Sequence, residues 1–244
     1  MKVLAINSSP KMDKGNTALI LNPFLEGMRE VGAEVELLYT KKLKINPCQG
    51  CFNCWFKTPG QCFQKDDMES VREKYRDADI LVYATPLYVD GMTGPLKNLL
   101  DRLVPGAQPF IKLKDGHSRH VPHEGFHYGR KVVLVSNCGF WEMDNFEPLL
   151  VHMKALCANM GREFAGALLR PCGPVLGLGP VLGIKRPVDD IFEAAREAGR
   201  QLIRDGKMSH KTLNIVSREL MPREEYIGNV NRIFQQMLAS VTKK

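Results

Sequence analysis

The feature that most narrows the folds open to this chain is a repeated alternation of short apolar runs with helix-patterned segments. Val3-Leu4-Ala5-Ile6, Glu34 to Tyr39, Ile80-Leu81-Val82-Tyr83-Ala84, Val132-Val133-Leu134-Val135-Ser136 and Phe164 to Leu169 read as five strands. Between them, Ile20, Phe24, Met28 and Val31 share one helical face, although Pro23 is expected to bend that helix or reset its start. Asp66-Asp67 can cap a helix reaching about Asp77, and helices are expected around Pro95 to Leu103 and from about Phe146 to Met160. Strands separated by helices are joined as parallel neighbours, because parallel pairing needs a crossover. The expectation is therefore an α/β fold: a doubly wound five-stranded parallel sheet with helices on both faces. In such sheets ligands bind beyond the carboxyl ends of the strands at the switch point, so the loops at 7–17, 85–93 and 137–142 should converge.

At 244 residues the chain suits one domain with insertions. Residues 1–206 are expected to form it, carrying a cysteine loop at 48–62, a polar, basic insertion at 106–130 and a Gly/Pro-rich loop, Pro171 to Pro187, before a helix at about Asp189 to Arg204. Residues 207–244 form a C-terminal helical extension whose helix, Pro222 to Ser240, would pack Tyr226, Ile233, Phe234 and Met237 on the domain or on a second subunit. The net charge of +7 suits an anionic partner. Its Lys and Arg residues form no block or aromatic-interleaved stripe, so no nucleic acid is expected. The apolar start is too short for a signal peptide, and Pro171 to Ile184 falls short of the ~20 residues of a spanning helix. A cytoplasmic protein without a membrane partner is expected, and its seven cysteines should be thiols, metal ligands or redox groups.

The loop Asn7-Ser8-Ser9-Pro10-Lys11 through Gly15-Asn16-Thr17 puts hydroxyls and free N–H groups at a helix start, where a phosphate is favoured; alternatively Thr17 is a simple cap. It is neither a Walker A loop nor a Gly-x-Gly-x-x-Gly turn, and Gly177 to Gly183 imitates the latter with the wrong spacing. Taken with Thr85-Pro86-Leu87-Tyr88 and with Thr93-Gly94-Pro95-Leu96-Lys97-Asn98 to Asp101-Arg102, it resembles the NADPH-dependent FMN reductase family. That resemblance implies a flavodoxin-like fold, an FMN cofactor and NAD(P)H as electron donor. It assigns the FMN phosphate to Ser9, Lys11, Asn16 and Thr17, and the flavin ring to Pro86, Leu87, Tyr88, Val89 and Asp90 with Asn137, Cys138, Gly139 and Phe140. Tyr88 and Phe140 could wall the ring, and hydride transfer at the flavin needs no side-chain base.

Cys48, Cys51 and Cys54 are spaced three apart and Cys62 follows, so one tight loop can present several thiolates to adjacent irons. Zinc sites usually pair two separate knuckles, and the second is missing here. The pattern is similar to the cysteine motif of the iron–sulfur flavoproteins, a branch of the same family, which implies a [4Fe-4S] cluster, with zinc or free thiols as the alternatives. The resemblance also implies NAD(P)H or ferredoxin as donor and a homodimer or homotetramer; a flavodoxin-type carrier without a nicotinamide site is the rival reading. Cys138, Cys157 and Cys172 read as buried small hydrophobes as well. His117, His120, His123 and His127 crowd the insertion, which reads as an exposed lid.

Overall fold

Side chains alternate across a strand, so each apolar run must find a partner layer on both faces of its sheet. In the computed structural model, which describes residues 1–123, 130–178 and 188–241, the chain supplies both. The elements run β1 (Lys2–Asn7), α1 (Asn16–Glu30), β2 (Glu34–Tyr39), α2 (Asn53–Phe56), α3 (Met68–Asp77), β3 (Ile80–Pro86) and α4 (Gly94–Asp101). Strands β4 (Ala107–Lys114) and β5 (His117–Pro122) follow, then β6 (Lys131–Asn137), α5 (Glu147–Met160), β7 (Glu163–Arg170) and α6 (Pro174–Leu178). Helices α7 (Asp189–Asp205), α8 (His210–Ser217) and α9 (Arg223–Val241) close the chain.

The central sheet has the order β2-β1-β3-β6-β7 with every pairing parallel, the doubly wound flavodoxin-like arrangement whose direction of winding reverses beside β1 and β3. Val3, Ala5, Ile80, Val82, Ala84, Val133 and Val135 face one way, against Ile20, Leu21, Phe24 and Met28 of α1 and Ile191, Ala195, Ala198 and Leu202 of α7. Leu4, Ile6, Leu81, Tyr83, Val132 and Leu134 face the other, against α3, α4 and α5. Burial of these residues, at roughly 1.5–3 kcal/mol for each large side chain, holds the layers together. The loops at the carboxyl ends of β1, β3 and β6 are thereby fixed along one edge.

Several expectations change. Helix α1 runs unbroken through Pro23, because Ile20, Leu21, Phe24 and Leu25 on both sides of the proline are buried in one core and tertiary packing outweighs the lost hydrogen bond. The insertion, expected as an exposed lid, is exposed along much of its length but regularly folded. Residues 107–122 form an antiparallel hairpin that turns at Asp115 (φ 51°) and Gly116 (φ 75°), the left-handed pair a tight hairpin turn requires. Within the Gly/Pro-rich stretch, Cys172 and, on α6, Val175 pack against the core; residues 179–187, and with them most of Gly177 to Gly183, lie outside the described residues. The C-terminal extension is helical, with α8 ahead of the expected helix α9, its start capped by Ser209, whose hydroxyl accepts from the Thr212 N–H at 3.2 Å. Of the apolar face expected on α9, Tyr226 is buried and Ile233 packs partly, whereas Phe234 and Met237 are exposed.

Candidate functional site

Three loops meet at the switch point, and Asn137 at the end of β6 joins them. Its carbonyl accepts the Leu87 N–H at 2.8 Å, and its side-chain amide donates to Thr17 Oγ1 at 2.6 Å. Thr17 is thus a buried link between loops rather than a helix cap. Thr93 supplies a further tie, donating from its hydroxyl to the Ser8 carbonyl at 3.3 Å and from its N–H to Thr85 Oγ1 at 3.1 Å. Ser8 is anchored in turn on the Ala84 carbonyl through both its N–H and its hydroxyl.

The first loop folds back over the start of α1. Gly15 is the N-cap and no side chain caps the helix, which leaves the first-turn N–H groups directed at that end. A methyl on Gly15 would fall 2.5 Å from Ser9 Oγ, so only glycine lets Ser9 and Lys11 lie this close to the helix start. Ser9 and Thr17 are buried, Asn16 is half-buried and Lys11 reaches solvent. The four residues assigned to a phosphate therefore surround one helix end.

The second loop turns tightly. Tyr88 and Gly91 exchange backbone hydrogen bonds at 3.0 and 3.1 Å across Val89 (φ 48°) and Asp90 (φ 58°). Left-handed backbone at a β-branched valine is strained, and it presents Val89 wholly to solvent beside Tyr88 at 52% exposure. Phe140 of the third loop is 62% exposed. Neither aromatic is used by the core. Pro86 and Leu87 lead into this turn, Cys138 is buried under the third loop, and the Gly139 carbonyl accepts from the hydroxyl of Tyr226 on α9. Thr85, Thr93, Gly15 and Tyr226 were not among the residues singled out for a cofactor: Thr85 and Thr93 tie the first loop to the second, Gly15 makes room for Ser9 and Lys11, and Tyr226 holds Gly139.

Cys48, Cys51, Cys54 and Cys62 line one cavity of about 300 Å³, together with Gly50, Phe52, Arg102 and Val104. The chain reaches it through left-handed Gly50 and Phe52, with α2 forming one wall. Burial pushes the Cys54 thiol up, and Cys62, Cys48 and Cys51 add to the shift, so the four sulfurs feel one another. Among the described residues no three His, Cys, Asp or Glu side chains are drawn up as ligands of a single metal ion. Four thiolates around a tetrahedral zinc would crowd to within about 4 Å of each other given a Zn–S bond of about 2.3 Å. The four thiols on one cavity make a donor set for a thiophilic metal group.

Under this loop lies a buried ion pair. Arg102 Nη1 and Nη2 reach Asp66 Oδ2 and Oδ1 at 2.7 and 3.1 Å, with side chains 2% and 4% exposed. Arg102 also donates to the Asn46 carbonyl at 2.6 Å and to Cys62 Sγ at 3.5 Å. Asp66 accepts the Asn46 and Met68 N–H groups, and Asp67 accepts the Lys44 N–H. The acidic pair thus does more than start α3: it pins residues 44–46. Burial pushes the Asp66 carboxyl up, but hydrogen bonds from Arg102, Asn46 and Met68 outweigh it and leave it below the ordinary range. Of the insertion's histidines, His120 packs on Trp55 at 4.9 Å and His123 lies against Gly60, so the hairpin braces this loop; His127 lies outside the described residues.

Residues 1–140 match the family described as NADPH-dependent FMN reductase. An iron–sulfur flavoprotein of Archaeoglobus fulgidus is 43% identical over 102 residues, 42% of this chain and 48% of that protein. Another from the same organism is 32% identical over 165 residues, 66% of this chain and 81% of that one. The chain spans about half the length of the first curated relatives it matches. An FMN-dependent NADH-azoreductase from Bacillus anthracis superposes with a TM-score of 0.60 at 18% identity, covering 83% of this chain and 99% of that one, a likeness of fold. Among the described residues no helix is long and apolar enough to cross a membrane.

Proposed function

This chain belongs to the NADPH-dependent FMN reductase family, in its iron–sulfur flavoprotein branch, and from that premise we propose that it is an FMN-dependent oxidoreductase. In this reading NAD(P)H or ferredoxin donates electrons and a [4Fe-4S] cluster in the cysteine loop relays them, in a homodimer or homotetramer. When bound, FMN supplies a ring that accepts a hydride or single electrons, and the cluster supplies one-electron exchange.

The observation that carries the reading is Asn137, one residue hydrogen-bonded to both other loops at the switch point. It fixes the uncapped start of α1 relative to the turn that bears Tyr88. The N–H groups of that start, with Ser9, Asn16 and Thr17 and the charge of Lys11, would hold the phosphate. Tyr88 and Phe140 would offer apolar surface to the ring, and the backbone from Pro86 to Asp90 and from Asn137 to Phe140 would meet its polar edge. Cys48, Cys51, Cys54 and Cys62 would ligate the cluster in a cavity that all four line.

Helix α4 sets the distance between the two. It begins just after Thr93 and ends at Asp101, ahead of Arg102, so its eight residues would hold the first loop and the cysteine loop about 12 Å apart along its axis at 1.5 Å per residue. The test is anaerobic purification with flavin, iron and acid-labile sulfide assays. Bound FMN without iron or sulfide after reconstitution would reject the cluster, and Cys51→Ala should remove iron while FMN stays. A flavin that NAD(P)H fails to bleach would leave an electron carrier instead.

A further inference from the structure

We propose that Arg102 is the positioning residue of the cysteine loop: through its hydrogen bond to Cys62 it holds the fourth ligand in place and raises the reduction potential of the bound cluster. This rests on the cluster reading above and assigns a role to a residue outside the ligand set. Arg102 begins where α4 stops, and its side chain is inside the protein rather than in solvent.

The geometry is that of a bracket. One guanidinium grips both oxygens of Asp66, the Asn46 carbonyl before the first cysteine, and Cys62 Sγ at the end of the loop. Asn98, one turn earlier on α4, adds a bond to the Ile45 carbonyl at 2.8 Å. Cys48, Cys51 and Cys54 lie close together in sequence, whereas Cys62 arrives after a seven-residue gap and needs an external anchor. Arg102 and Asp66 supply it from two other segments.

Among the described residues, Arg102 Nε and Arg72 Nη1 are buried without a hydrogen-bond partner. Arg72, on α3, adds a second positive charge that acts on Cys62. Orphaned N–H groups are costly unless an acceptor meets them, and thiolate-ligated iron–sulfur groups are anionic and rich in sulfur acceptors. The sign of the effect follows. Asp66 neutralises Arg102, so Arg102 acts mainly through its N–H···S bond, while Arg72 contributes charge. Both favour the more negative, reduced cluster, which raises the potential.

The experiment uses the full chain reconstituted anaerobically with iron and sulfide, and compares wild type with Arg102→Lys and Arg72→Gln. Midpoint potential is read by EPR-monitored titration, cluster loss by a ferrous chelator, and folding by bound FMN per chain. Lysine keeps the charge but cannot span Asp66, Asn46 and Cys62 together. Arg102→Lys should keep FMN, lower the potential and lose its cluster about 10–100-fold faster, the usual penalty for removing a residue that orients a metal ligand. Arg72→Gln should lower the potential and leave the loss rate unchanged; if Arg102→Lys does not fold, Asp66→Asn, which keeps Arg102 but loosens the grip that aims it at Cys62, should speed cluster loss with FMN retained, and an unchanged loss rate there overturns the proposal. A wild-type cluster whose potential is the same in both variants, or an Arg102→Lys cluster as durable as wild type, overturns the proposal alone. A wild-type protein that takes up no cluster overturns the function reading and this proposal with it.

Discussion

Gly27 and Gly199 set how closely α1 and α7 approach, and so where α1 carries the first loop. A methyl built on Gly27 would sit 1.9 Å from the Arg196 carbonyl oxygen, and one on Gly199 would sit 2.1 Å from that of Phe24. Both obstacles are backbone, which no rotamer change removes. Ordinary contact begins at 3.4 Å, so Gly27→Ala forces the helices apart by about 3.4 − 1.9 = 1.5 Å. A gap of that size forfeits roughly half or more of the dispersion between facing atoms, and overpacking typically costs about 1–3 kcal/mol. Alanine returns about 1 kcal/mol of helix propensity. With the cost at its upper end, the net loss is about 2 kcal/mol, a Tm lower by roughly 4–8 °C for a chain of this size. Gly228 in α9 is the control, since a methyl there meets nothing within 4 Å. Gly228→Ala should therefore raise the Tm slightly. Circular dichroism melts of the flavin-free proteins in one buffer make the comparison. If Gly27→Ala melts at or above Gly228→Ala, the close crossing of α1 on α7 is wrong.

Asn137→Ala removes the amide that donates to Thr17 and should cost about 1–3 kcal/mol in a urea midpoint, with weaker FMN binding by fluorescence titration. Tyr88→Ala, at an exposed aromatic, should leave stability within about 0.5 kcal/mol but raise the FMN Kd roughly 3–10-fold; unchanged affinity would take Tyr88 away from the ring. Burial pushes the Cys157 thiol up to about 11 and the Cys172 thiol to about 12. The folded state keeps those protons after the unfolded chain, with thiols near 9.0, has released its own. Stability should therefore be complete below pH 9 and fall as pH climbs from 9 toward 12, and urea midpoints across that range would show it. Metal-free protein at pH 8 should expose four cysteines to a thiol reagent, with Cys138, Cys157 and Cys172 reacting only after unfolding.

What was legible in the sequence was whatever local pattern dictates. Continuous apolar runs at Val3 to Ile6 and Ile80 to Ala84 marked strands buried on both faces, and their alternation with helices marked the parallel order. The hairpin went unread: Asp115-Gly116 is a turn signal, but the polar, basic residues around it read as a lid instead of two strands. Tertiary pairings were not. Asp66 reads locally as a helix start, and nothing in its neighbours says that Arg102, 36 positions on, will claim both its oxygens. Asn137 likewise reads as one loop residue among those assigned to the ring until Thr17, 120 positions earlier, is brought against it.

The segment from Thr93 to Arg102 shows how the two kinds of information meet. As sequence it is one motif of the family resemblance; as structure it is a single helix with a hydrogen bond to the first loop at one end and one to Cys62 at the other. Leu96 and Leu99, both fully buried, lock that helix onto the sheet, so its length rather than any flexible linker fixes the spacing of the two candidate sites. A residue inserted into α4 would rotate Arg102 by about 100° about the helix axis and take its guanidinium off Asp66 and Cys62 while Thr93 stayed in place. The cysteine loop would then lose its anchor with the flavin loops intact, which is the separation expected if the helix is the shared support of both.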